Sequence, residues 1–181
     1  MSSSFQSKPA PSLAVFDPEW WKVALAVYFA LLLQTTVLTR FDLRGGRLSL
    51  VLLVLLWFAR HAGVRRATRF GAIVGICEDA LASSGVAWTV ADAAIGAMTA
   101  ALARTPIGDS LLLAAPTVAL LTVARYAVFV AVLSVERGSQ SVTPVHWHAA
   151  LWQGVLNGGV ALIALLFALR FELPYGERDG R

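Results

Sequence analysis

The sequence predicts an all-α fold: a polytopic membrane helix bundle of about six spans. Three observations predict it. Of 181 residues, 57% are hydrophobic and only 14% charged; a soluble domain has about 45–50% apolar and about 25% charged residues. Mean hydropathy is +0.68. Apolar runs recur at helical length, and most charges gather between them. The pattern assigns residues 1–20 to a disordered cytoplasmic tail, 21–170 to the bundle and 171–181 to a charged cytoplasmic tail.

The net charge of +4 and the pI near 9.8 do not point to nucleic acid, because the arginines flank apolar runs as they do around membrane spans. The single cysteine, Cys77, excludes an intrachain disulfide and a cysteine-rich metal site.

The first 18 residues are rich in Ser and Pro and lack apolar periodicity. The following apolar run shows no small-residue cleavage site, so no removable signal peptide is expected. Trp20 and Trp21 read as an interfacial aromatic pair, with Lys22 as a snorkelling anchor. The first helix is predicted from Trp21 to Thr39 and carries Gln34. A loop follows from Arg40 to Arg47.

The second helix, Leu48 to Ala59, is a run of twelve residues, apolar but for Ser49, about 18 Å at 1.5 Å per residue. It must thin the bilayer, pack inside the bundle, or extend through Arg47 and Arg60. Arg60 to Arg69 reads as a basic loop.

Residues 70–103 contain no Lys or Arg. Ser83-Ser84-Gly85 divides them into a tight hairpin of two short helices, about 70–83 and 87–103. The first carries Gly71 and Gly75, a spacing that lets another helix approach closely, followed by Glu78 and Asp79. These residues share about a quarter of the helical circumference. A carboxylate at membrane depth costs about 2.5 kcal/mol or more, so it calls for a partner. The second arm is built from small residues, which suits the middle of a bundle, and carries Asp92 with Gly96 on the same face.

After a loop at Arg104–Asp109, the fifth helix is predicted over Leu111–Leu133, with Arg125 inside it. A polar segment, Glu136–His148, precedes the sixth, Ala149–Leu169, which holds Gln153, Asn157 and Gly158. Six helices place both termini on one side. With the termini inside, ten Lys and Arg fall inside and four (Arg40, Arg44, Arg47 and Arg137) outside, the orientation favoured by the positive-inside rule.

Counting residues from the predicted turns gives depth. Asp79 and Asp92 lie about 9–11 Å from the outer turn, and Arg125 about 12 Å from the outer end of its helix. Gln34, Glu78, Asp79, Asp92, Arg125 and Asn157 therefore belong to one polar cluster or outward pocket. Arg125 is its main cation, because a guanidinium binds carboxylates bidentately and stays charged. Asp79 is its expected centre. Three carboxylates against one guanidinium call for protonation, water or a further cation. Gluing the helices together is the plainer role for the same residues. Gly71, Gly75, Gly96 and Gly158 are the expected packing positions.

Other chemistry is weakly supported. His61, His146 and His148 are expected in loops, no G-x-S-x-G elbow occurs, and no metal site is expected. No Walker or dinucleotide glycine pattern occurs, and no cofactor is expected. The enzymatic alternative is an intramembrane aspartyl protease using Asp79 and Asp92 as a proton-sharing pair. Val90-Ala91-Asp92-Ala93-Ala94-Ile95 has some likeness to the second aspartate motif of lipoprotein signal peptidases, but without that family's asparagines.

Leu31-Leu32-Leu33-Gln34-Thr35-Thr36, the short second helix, Gly71-xxx-Gly75-Ile76-Cys77-Glu78-Asp79-Ala80-Leu81 and Val155-Leu156-Asn157-Gly158 together resemble the rod shape-determining protein MreD family. The likeness covers about residues 22–170. Leu48-Ser49 stands where the family often has Pro-Asp, and Glu78 is an addition. The resemblance implies a non-enzymatic scaffold of the bacterial inner membrane, active in cell-wall elongation. It would bind an MreC-like single-span periplasmic protein. It would couple the MreB filament to the transpeptidase and glycosyltransferase of lateral peptidoglycan synthesis. Membrane lipid would surround it, and nucleic acid would play no part. The family is similar in fold to the S-components of energy-coupling-factor vitamin transporters, so a substrate-binding S-component is the runner-up.

Overall fold

The computed structural model describes residues 20–40, 44–138 and 144–172. Most of the two predicted tails lies outside these residues, as do parts of the loop after the first helix and of the segment before the last. Among the described residues the fold is all-helical, with seven α-helices and no strand. They are α1 (Trp20–Thr36), α2 (Leu50–His61), α3 (Val64–Ala82), α4 (Ala87–Leu102), α5 (Pro106–Asp109), α6 (Leu111–Arg137) and α7 (Pro144–Glu172).

Several boundaries differ from the sequence reading. After α1 the chain tightens into a 3-10 turn at Leu38–Arg40. The basic stretch predicted as a loop is largely the start of α3, which begins at Val64; Arg65, Arg66 and Arg69 are good helix formers and point outward. The expected loop at Arg104–Asp109 contains α5, with Pro106 in its first turn, where its missing N–H does no harm. Helices α6 and α7 extend into the polar segment between them, so His146 and His148 are helical. His61 likewise ends α2.

The hairpin between α3 and α4 is as tight as predicted. Ser83 closes α3 in a left-handed conformation (φ 53°), and Gly85 follows at φ 77°. A Cβ on Gly71 would overlap the Asp92 carbonyl, and one on Gly75 would overlap the Trp88 carbonyl and the Thr89 backbone. The two helices thus touch backbone to backbone. Further along the same interface, a Cβ on Gly96 of α4 would meet the Ala67 carbonyl of α3 at 2.5 Å.

Helix α4 occupies the centre and packs against α3, α6 and α2. Small residues allow this: Ala91, Gly96 and Ala100 are buried around Ile95. Short α2 packs inside the bundle, burying Val51, Leu52, Leu55, Leu56, Phe58 and Ala59. Inward packing was one of the three ways expected to accommodate twelve residues. Helix α7 lies along α6, where a Cβ on Gly158 would stand 3.1 Å from Ala119 Cβ. Leu112–Arg137 and Pro144–Phe167 are long and apolar enough to cross a membrane. Three shorter apolar helices accompany them: Trp21–Thr36, Leu50–His61 and Ala87–Leu102.

Candidate functional site

At one end of the bundle, polar side chains from six helices meet. The centre is Arg125 on α6, 1% exposed. Its Nε donates to Asp92 Oδ1 on α4 at 2.5 Å, and its Nη2 to Asp92 Oδ2 at 2.8 Å. This is the bidentate fork that guanidinium planarity favours. Nη2 also pairs with Glu78 Oε2 on α3. The guanidinium carbon lies 4.3 Å from the Trp88 ring centroid, within cation–π range. Trp88 is stacked on Phe129 at 4.0 Å, so an aromatic pair supports the cation from below.

The network continues outward from Glu78. Its Oε1 accepts from Gln34 Nε2 on α1 at 3.3 Å. Gln34 Oε1 in turn accepts from Ser49 Oγ and from the Val51 amide, both at 3.4 Å. Ser49 is the N-cap of α2, its Oγ accepting from the Leu52 amide. Its own amide donates to Asn157 Oδ1 on α7 at 3.1 Å. Asn157 Nδ2 donates to Thr122 Oγ1 on α6 at 3.2 Å, closing the chain one turn from Arg125. Among the described residues no buried side-chain nitrogen or oxygen lacks a hydrogen-bond partner.

Five of the six predicted cluster residues meet here: Gln34, Glu78, Asp92, Arg125 and Asn157. Asp79, the expected centre, does not join them. It lies on the neighbouring side of α3 and organises the hairpin turn. Asp79 Oδ1 accepts from Ser84 Oγ at 2.6 Å and the Trp88 amide at 3.0 Å. Oδ2 accepts from the Thr89 amide at 2.8 Å and Thr89 Oγ1 at 2.7 Å. These amides open α4, where the helix leaves N–H groups without intrahelical partners. A carboxylate suits that position both as acceptor and against the helix dipole. Glu78, itself an expected member of the cluster, takes the place expected for Asp79. Its longer side chain reaches Arg125 while the shorter Asp79 folds back on the turn.

Sequence reasoning missed Ser49, Trp88, Thr122 and Tyr126 as members. The signal for Ser49 was legible, since a serine directly before an apolar run marks an N-cap. Tyr126 and Gln153 form a satellite pair, the Tyr126 hydroxyl donating to Gln153 Oε1 at 2.7 Å. His148 Nε2 accepts from Trp152 Nε1 at 3.2 Å, one turn along α7.

Above the ion pairs lies a cavity of about 310 Å³. Gln34, Ser49, Glu78, Trp88, Arg125, Tyr126 and Gln153 line it, with Arg47 at its exposed rim. It is within the size range of small-molecule sites. Helix ends frame it: the last turns of α1 and α3, the start of α4, and the facing thirds of α6 and α7. The depth count from the sequence had brought these helix ends to one level. No family model, curated protein or solved structure matches the chain.

Proposed function

We propose that this chain is a multi-pass membrane scaffold of the MreD type, with six spans: α1, α2, α3, α4, α6 and α7. The membrane reading draws on what the bundle leaves uncovered. Trp21, Tyr28, Phe29, Leu120, Leu151, Leu162, Ile163 and Phe167 all stand exposed. Continuous apolar exposure on this scale suits lipid, not water. The short helices are accommodated by packing inside the bundle, by local thinning of the bilayer and by the basic residues snorkelling at their ends. Both termini would be cytoplasmic, with the 310 Å³ cavity opening on the outer side of a bacterial inner membrane.

One observation carries the scaffold role: the buried network is closed. Arg125, Asp92, Glu78, Gln34, Ser49, Asn157 and Thr122 satisfy one another. Removing a partner would leave a buried charge, so the network fixes one arrangement of six helices. A rigid bundle of that kind suits a protein that works by holding others: an MreC-like single-span protein directly, and through it the MreB filament and the wall synthases. An enzyme is not favoured. Asp79 is engaged by Ser84, Trp88 and Thr89, and Asp92 by Arg125, so the two aspartates have separate partners instead of sharing a proton.

The test is co-expression with a single-span periplasmic candidate of the MreC kind. Stoichiometric co-purification, and loss of rod shape on deletion of the gene, are the expected results. The cavity favours a second reading, the vitamin-binding S-component. A small molecule found at one per chain by mass spectrometry, with no protein partner retained, would replace the scaffold with that reading.

A further inference from the structure

A second cavity, of about 370 Å³, lies in the half of the bundle away from the ion pairs. It runs between α2 and α7 over a floor of α4 and α6. Leu53, Leu56 and Trp57 form one wall, Val160 and Ala164 the other, and Leu102 and Leu121 contribute to the floor. The polar side chains inside are Thr99, whose hydroxyl donates to the Ile95 carbonyl, and Thr117. At one end stands Arg60, exposed, its Nη2 donating to the Gly108 carbonyl at 2.9 Å. A guanidinium has five N–H donors, and this bond uses one.

We propose that this groove holds one acyl chain of an anionic phospholipid, with the lipid phosphate on Arg60. The lining points to the occupant: an open apolar groove that ends on a guanidinium suits one apolar chain carrying an anionic head. From Leu53 to Arg60 it follows α2 for about 10 Å. Charge selects the headgroup. Arg60 is in the lining at this end, Arg104 follows the lining residue Ala103 in the chain, and no carboxylate is among the lining residues. A guanidinium binds a phosphate oxygen pair as it binds a carboxylate. The groove is therefore a specific lipid seat in the cytoplasmic leaflet, distinct from the general lipid shell. The proposal rests on the membrane reading above.

Native mass spectrometry of the detergent-purified full chain tests it, with phosphatidylglycerol and phosphatidylcholine as probes. The wild type is expected to retain phosphatidylglycerol about tenfold better. Arg60→Ala should reduce it to the phosphatidylcholine level. Ala164→Trp, at an exposed position that fills the groove without entering the core, should lower retention of both while leaving the thermal melt unchanged. Equal retention of the two lipids by the wild type, or unchanged retention in both variants, would overturn the proposal. So would a protein partner released by Ala164→Trp while lipid retention persists. Recovery of the chain from the soluble fraction without detergent is the separate result that sinks the membrane reading itself.

Discussion

Two adjacent carboxylates, Glu78 and Asp79, have different jobs because a helix turns about 100° between them. Glu78 meets Arg125 and Gln34; Asp79 meets the amides at the start of α4. Their exchange of roles explains where the sequence stopped being informative. Depth along a helix can be counted from a turn, and the count brought Glu78, Asp92 and Arg125 together. Which of two neighbours faces the cation depends on how Ser83 and Gly85 bend the chain, and that emerges only when α4 is in place. The roles lead to different expectations. Asp79→Ala should cost about 2 kcal/mol, from the lost cap and its charged hydrogen bonds. Hydrogen exchange should speed up at Ser84–Thr89 while the Arg125 network stays protected. Glu78→Gln keeps a hydrogen-bond acceptor for Arg125 and leaves the Arg125–Asp92 pair intact, so its melting temperature should fall less than that of Glu78→Ala, read by thermal unfolding in detergent.

Among elements, the α3–α4 hairpin is the most legible from sequence. Its glycine spacing, its turn and its small-residue second arm all follow from residue types. The start of α3 and the extra turns of α6 and α7 were not legible, because apolar runs mark only the part of a helix that is buried or lipid-facing. Polar residues continue a helix without breaking that rule. The glycines make the hairpin testable. Gly75→Ala and Gly71→Ala place a methyl into backbone atoms of α4 that cannot yield; each should cost about 1–3 kcal/mol. Gly158→Ala meets Ala119 Cβ and the Ala115 carbonyl at 3.1 and 3.2 Å, a contact a small shift of α7 relieves. Its effect should stay below about 1 kcal/mol. Chemical denaturation of the three variants in one detergent checks the order.

At the scale of the whole molecule, one arginine joins three helices. Arg125 of α6 pairs with Asp92 of α4 and Glu78 of α3, and Gln34 and Ser49 carry the connection to α1, α2 and α7. The fold class, the helix order and the meeting of these groups follow from composition, apolar runs and depth. The closure of the network does not, because the N-cap signal of Ser49 says nothing of its amide meeting Asn157, and Thr122 is a small hydroxyl with no periodic signature. The central claim is that this closed network holds the bundle in one arrangement, on which the proposed scaffold role rests. The most direct measurement compares Arg125→Ala with Arg66→Ala, an exposed arginine near the opposite end, by thermal unfolding in detergent and by rescue of cell shape in a deletion strain. Arg125→Ala strands two buried carboxylates and should cost about 3–5 kcal/mol and abolish rescue; Arg66→Ala should stay within about 0.5 kcal/mol and rescue fully. Equal, mild effects of the two substitutions would contradict it.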